Sequence, residues 1–413
     1  MTGEHIEQHY SWAFLLAKSL KQFQFPWWTN LIHCGFPLAA ESQIGVFYLP
    51  NLILCFLLPI HWAYSYLNVI HFLISGWATY FYGRSMKLGP LAAFISAVFF
   101  LFGSAYGGAY YNILSLKTVA WFPVSLFFFE QFYETGKWKH LLFFSCAIAL
   151  MLLAGYLQVA AFVLAIIMLY GFLRIFIIYG EKNQVLSNKL KNAGFLLLAI
   201  GASILIAFPQ LFLTFRLVLF SNRLKLSEDY AYVGSTSPLV VLTFFFTQMQ
   251  GFLRGNSLYG GVFSIFFILC AFFSNKSRKT ELFRIWCWVG LISFLMALGR
   301  WSPLYVAIIK LTHFYSFRMP SKFLIFVCFA AAMLSGVGIQ AMQDSIQKKT
   351  PQFSIPKATF TFSVLLSFAS AAHVMLYYFV SRGRPIAIAA GQWFVRRFVY
   401  EKIGHPYTLE VYN

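Results

Sequence analysis

Two carboxylates and two histidines crowd the start of the chain: Glu4, His5, Glu7 and His9. A carboxylate held beside apolar surface is a candidate general base, because desolvation raises its pKa toward the working range. Glu4 and Glu7 are therefore the candidate catalytic groups. The competing reading is a solvated N-terminal turn, with Glu4 favoured by a helix dipole. His5 and His9 are four apart and would share a helix face. They could bind a metal ion, but the one further ligand nearby is a carboxylate, so no metal site is assigned; a divalent ion between Glu4 and a phosphate is the alternative. A second group is cationic: Arg216, Arg223, Arg300, Arg318 and Lys322. Arg318 and Lys322 flank Pro320, a favoured first-turn residue. Guanidinium forks suit phosphate, and a helix start adds a field of the same sign. The competing reading is cations snorkelling to lipid head groups. Gln158 and Gln210 end apolar runs, where amides often bond between helices. Asn112 and Lys117 follow Gly107-Gly108 in what reads as an outer turn, and suggest no chemistry.

These groups sit on an unusual scaffold. The chain has 413 residues, 60% hydrophobic, 20% aromatic and 10% charged, whereas soluble domains carry about 25% charged residues. A cytosolic enzyme, a disordered protein and a repeat array with a polar face are all excluded. Lys and Arg number 31 against 12 Asp and Glu, a net charge of +19. A nucleic-acid binder gathers such charge on a wet patch. Here the bases lie in short clusters between apolar runs, as in the inner loops of membrane proteins. The six cysteines form no C-x-x-C and five lie in apolar runs, so neither a disulfide framework nor a zinc ribbon is indicated.

The apolar runs predict an all-α polytopic membrane protein with about ten transmembrane helices of roughly 20 residues each. They fall near 62–83, 89–107, 116–134, 138–154, 156–178, 192–214, 258–274, 282–299, 321–343 and 358–380. Residues 1–61 read as a loop with amphipathic segments and a short re-entrant or interfacial stretch from Val46 to Ile60. Residues 215–257 form a second polar loop between helices 62–214 and 258–380, and 381–413 a basic amphipathic tail. The loops at 84–88, 134–140, 174–191, 274–284 and 344–357 hold 15 of the 31 Lys and Arg, Arg174 among them, and alternate along the chain. The positive-inside rule makes that side cytoplasmic. Regions 1–61, 215–257 and 300–320 then share the outer face. The tryptophans near span ends, Trp12, Trp27, Trp28, Trp62, Trp121, Trp138 and Trp301, read as an interfacial belt. Mid-span charge is almost lacking, with Glu130 close to an inner end.

Several stretches, in one order over roughly residues 3–345, resemble the YfhO-type bacterial membrane proteins of the wider GT-C class. The first is Gly3-Glu4 with Gln8 and Ser11, followed by Gly35-Phe36-Pro37. Later come Gly155-Tyr156-Leu157-Gln158, Pro209-Gln210, Ser221-Asn222-Arg223, Tyr259-Gly260-Gly261, and Leu298-Gly299-Arg300-Trp301-Ser302-Pro303 with Phe317-Arg318-Met319-Pro320-Ser321-Lys322. Glu4 stands where that family has Asp, Ser11 where it has Pro, and Tyr156 where it has His. The family's first span is missing before Gly3, which suggests a truncated and non-catalytic relative as one alternative. The resemblance implies an inner-membrane glycosyltransferase of the cell envelope, active on its outer face. It would take a sugar from a polyprenyl-phosphate donor to a glycan or lipid acceptor. Glu4, with Glu7 and Glu41 in reserve, would be the base. Arg318, Lys322, Arg300, Arg223, Arg216, Gln8 and Gln158 would contact substrate, with a divalent ion as the one candidate cofactor. A transporter or flippase of lipid-linked sugars is the other alternative; it calls for paired charges in mid-span.

Overall fold

The computed structural model describes residues 5–32, 34–103, 106, 112–178, 186–221, 226–244, 257–258, 260–313, 315–348, 355–382, 389 and 392–393. Among these residues the structure is helical; one isolated bridge pairs Thr29 with Phe36, and there is no strand. Two compact units divide the chain, the first essentially residues 1–225 and the second 226–413.

In the first unit, α1 (Ser11–Lys21) and α2 (Leu49–Leu57) precede α3 (Ile60–Ser85) and α4 (Pro90–Phe102). Then come α5 (Ile113–Val119), α6 (Trp121–Thr135), α7 (Trp138–Leu153), α8 (Leu157–Phe172) and α9 (Leu186–Leu219). Local chemistry sets the ends. Asn112 Oδ1 accepts from the Ser115 amide at 3.1 Å and caps α5. Gly136, at φ 64°, occupies the left-handed site that ends α6 and lets α7 fold straight back. Gly155 has φ 110°, and a Cβ there would meet the Ser42 carbonyl at 2.8 Å. That close approach seats segment 39–51 against the turn between α7 and α8.

The second unit holds α10 (Glu228–Tyr232), α11 (Val262–Phe273), α12 (Glu281–Ala297), α13 (Pro303–Thr312), α14 (Leu324–Lys348) and α15 (Ile355–Arg382). Its core is the seam of α11, α12 and α14. Trp286 and Phe329, both fully buried, meet at 4.7 Å between ring centroids. At Gly338 a Cβ would come within 1.8 Å of the Phe267 carbonyl oxygen, so α11 and α14 touch backbone to backbone.

A helix lies within each of the ten apolar stretches. Among the described residues four helical segments are long and apolar enough to cross a membrane: Ile113–Thr135, Leu157–Ile178, Leu186–Leu219 and Pro320–Gln347. The others are shorter, such as α4 and α7, or diluted by polar side chains, as α3 is by His61, His71 and Arg84. Expected boundaries shift where helical hydrogen bonding outlasts hydropathy. The stretch 192–214 belongs to a helix running from Leu186 to Leu219, and the loop 300–320 contains α13.

Candidate functional site

Polar groups gather at opposite ends of the first unit. At one end the last turns of α3, α6 and α8 meet. Arg174 lies in a π-helical turn, Leu173–Ile178, that continues α8. It donates to Glu130 through Nε at 3.0 and 3.1 Å and through one terminal nitrogen at 2.9 Å. Tyr170 donates to the same carboxylate at 2.5 Å, Tyr82 donates to Tyr170 at 2.9 Å, and the guanidinium lies over the Tyr133 ring. Both charges are buried, and each satisfies the other. Arg174 is therefore not the loop charge that the sequence suggests. A wider helical turn folds it inward onto Glu130.

The other end is built by segment 39–51. Gln210 and Thr214 of α9 donate to the carbonyls of Ala39 and Ala40 at 3.1 and 2.8 Å. Further along, Tyr48 enters a hydrogen-bond chain whose direction is fixed. The Leu67 carbonyl can only accept, so His71 carries its proton on Nδ1 and offers Nε2 as an acceptor. Tyr48 donates to that Nε2 at 2.5 Å and accepts from the Trp121 indole at 2.7 Å. Asn51 is held by its amide nitrogen on the Ile44 and Gly45 carbonyls at 3.0 and 3.2 Å. Its Oδ1 therefore turns toward Lys117, which donates to it at 3.4 Å and sits 5.7 Å from the Tyr48 ring centre. Lys117 is 4% exposed. Beside it is a partly open cavity with room for a water molecule, lined by His9, Trp12, Gln43, Asn51 and Cys55 among others.

Lys117 is thus no outer-turn residue without consequence. It lies inside α5, in the apolar helical segment Ile113–Thr135. Trp12 and Trp121 also leave the expected interfacial belt: Trp12 is buried against the cavity and Trp121 anchors Tyr48. The missed signal was a lysine inside an apolar helix with no acid three or four residues away, since ionisable groups at such depth mark sites.

In the second unit three loops are tied together. Residues 231–236 act as the clip: the Met319 amide donates to the Val233 carbonyl at 2.7 Å and the Ser321 amide to Gly234 at 3.3 Å. The Arg300 amide donates to Ser235 Oγ at 3.0 Å, and the Thr236 amide to the Ala297 carbonyl at 3.1 Å. Tyr305 donates to the Ala231 carbonyl at 3.0 Å. Met319 is held at φ 59°, a left-handed conformation that an unbranched side chain adopts only under such restraint. The outcome is that Arg300 and the pair Arg318 and Lys322 share one rim. Arg318 is exposed, with its guanidinium 5.6 Å from the Tyr230 ring centre, and Lys322 is half-buried in the 3₁₀ turn Pro320–Phe323 that leads into α14.

Of the remaining predicted residues, Glu4 and Arg223 lie outside the described residues. Glu7 falls in the π-helical turn His5–Tyr10, and its side chain is likewise outside the description. Gln8 is exposed, Gln158 is half-buried in the first turn of α8, and Arg216 is exposed near the end of α9. Among the described residues no three His, Cys, Asp or Glu side chains come together to hold a metal ion.

The sequence matches no protein-family model, and no curated protein is significantly similar to it.

Proposed function

We propose that the chain is a polytopic inner-membrane glycosyltransferase of about ten spans, with its active face outward. It moves a sugar from a polyprenyl-phosphate donor to an outer-face glycan or lipid acceptor. The observation that supports this best is the rim of the second unit, where tied loops present Arg300, Arg318 and Lys322 at the start of a long apolar helix. A lipid phosphate lies at that depth, and its negative charge grows as the sugar leaves. In the step itself the acceptor hydroxyl oxygen attacks the anomeric carbon and loses its proton to Glu4. The bond from that carbon to the phosphate oxygen breaks, and the polyprenyl phosphate departs with the electron pair. The cations stabilise the departing phosphate.

The test is transfer from a purified lipid-linked donor in liposomes. Arg318→Lys keeps the charge but loses the fork, and should lower turnover about tenfold for each 1.4 kcal/mol lost. Arg318→Ala should lower it further, and Glu4→Gln by about 10²–10⁴-fold. Transfer at parental rate by Arg318→Ala would remove the rim from the reaction. Sidedness is read separately. A cysteine replacing exposed Asp229 should react with an impermeant reagent outside the cell, while one replacing Lys279 should not.

Buried charge in the first unit favours a second reading, a flippase of lipid-linked sugars. Lys117, Glu130 and Arg174 all lie among helices, which is where transporters keep ionisable groups. Movement of labelled donor across the bilayer without sugar transfer would favour it over the first.

A further inference from the structure

Lys117 is a buried cation that the described protein leaves incompletely bonded. An ammonium group carries three donors. One reaches Asn51 Oδ1, at 3.4 Å, beyond the usual range for N–H···O. The neighbouring Tyr48 hydroxyl bonds His71 and Trp121, and Lys117 lies 5.7 Å from the centre of its ring. Among the described residues no Asp or Glu pairs with Lys117. Burying a charge without a counter-charge is costly, and deeper in a membrane more so.

Space adjoins this cation on one side. The partly open cavity beside it admits a water-sized group, and its lining, largely apolar, includes Gln43 and His9 as well as Lys117 and Asn51. One oxygen of a larger anion would fit where the water-sized group fits, with the remainder at the mouth. Asn51, pinned through its nitrogen, keeps its oxygen on the ammonium and so holds the cation in place rather than competing for the ligand.

We infer that Lys117 and its cavity form a second anion site, which takes a phosphate oxygen of a phosphate-bearing ligand. It lies in a different unit from the Arg318 rim, and it draws on the glycosyltransferase reading only for the class of anion. The phosphate comes either from a lipid head group or from a free phosphate.

The experiment uses the full chain purified in a phosphate-free sugar detergent, with no sugar donor present, so that it stands apart from the transfer assay. Two probes are titrated at fixed ionic strength against chloride: inorganic phosphate, and dihexanoyl phosphatidate below its micelle concentration. Thermal unfolding and ³¹P line broadening are the readouts. Saturable stabilisation and broadening are expected for the parent with at least one probe; response to phosphatidate alone assigns the lipid source, and response to inorganic phosphate assigns the free one. Lys117→Met should weaken the effective probe at least tenfold. Asn51→Asp is the second variant, because it supplies the missing counter-charge from within. It should keep the fold and lose the probe response, even if Lys117→Met folds poorly. Parental chain that answers neither probe beyond chloride overturns the site, as does an unchanged response in Asn51→Asp or in folded Lys117→Met. Loss of sugar transfer in Arg318→Ala with an intact probe response would leave this site standing by itself.

Discussion

Arg174 and Lys117 are both buried cations of the first unit, at opposite ends, and among the described residues only Arg174 is completed by a counter-charge. Arg174 has a carboxylate on two of its nitrogens, a tyrosine ring beneath it, and a second tyrosine bonded to the same carboxylate. Lys117 has one long bond to an amide oxygen and a cavity. Thirteen residues of helical chain, about 20 Å, separate Lys117 from Glu130. The difference teaches which buried charge holds helices together and which waits for something outside the chain.

The strongest way to break the comparison is to remove Glu130. Glu130→Leu strands Arg174 without a partner and should destabilise the fold by about 3–5 kcal/mol, while Glu130→Met with Arg174→Met should recover most of that loss. Thermal unfolding in detergent reads both, and a single variant as stable as the parent would mean the pair is not structural.

Lys117→Met should act with the opposite sign. With no ligand present it removes an uncompensated charge, and the unfolding midpoint should rise by an amount equivalent to about 1–3 kcal/mol. A fall of that size would show that Asn51 and Tyr48 already satisfy the ammonium.

Two weaker pairs sharpen the scale. In the polar loop of the second unit, burial first, then the hydrogen bond to Glu228, pushes the Tyr232 hydroxyl up to about 12. Its proton is held more tightly in the folded chain than in the unfolded one. The stabilisation is therefore complete below the ordinary tyrosine value near 10 and is lost as pH rises through about 12. Phenolate absorbance should show Glu228→Gln bringing that titration downward but not fully to 10, since burial remains. Smallest of all is Lys276 with Asp344, at 2.5 Å but with the lysine side chain 57% exposed. Lys276→Ala should change stability by under about 1 kcal/mol, and salt should erase the difference.

Hydropathy carried the helices, because every apolar stretch long enough to matter must satisfy its backbone internally. It carried α2 as the short apolar stretch from Val46 to Ile60, but not α13, which is too short for a span, nor the extension of α9 through Arg216. The alternation of charged loops anticipated that Glu130 and Arg174 lie at one end, but periodicity does not say which way a side chain at a helix end turns. Arg318, Lys322 and Arg300 were legible as cations near helix starts. Their common rim was not, since it depends on the backbone of 231–236 bonding to loops some 60 to 90 residues further on. Lys117 was legible as a residue and illegible as a site: its meaning comes from Asn51, whose orientation only the fold supplies.

The length of α9 has a consequence of its own. Thirty-four residues make a rod about 51 Å long, against a hydrocarbon layer of about 30 Å. Only 33% of its most apolar window is buried within the protein. Such a rod leans, or carries its ends into water, and a thinner bilayer makes it lean further. Near its far end Gln210 and Thr214 are fastened to Ala39 and Ala40, a few residues before Tyr48 and Asn51. In a bilayer that α9 crosses, thickness would therefore act on the segment that leads to Tyr48 and Asn51. Probe affinity at that lysine should drift steadily across vesicles of increasing acyl length, and the drift should shrink when Gln210→Leu and Thr214→Val cut the fastening.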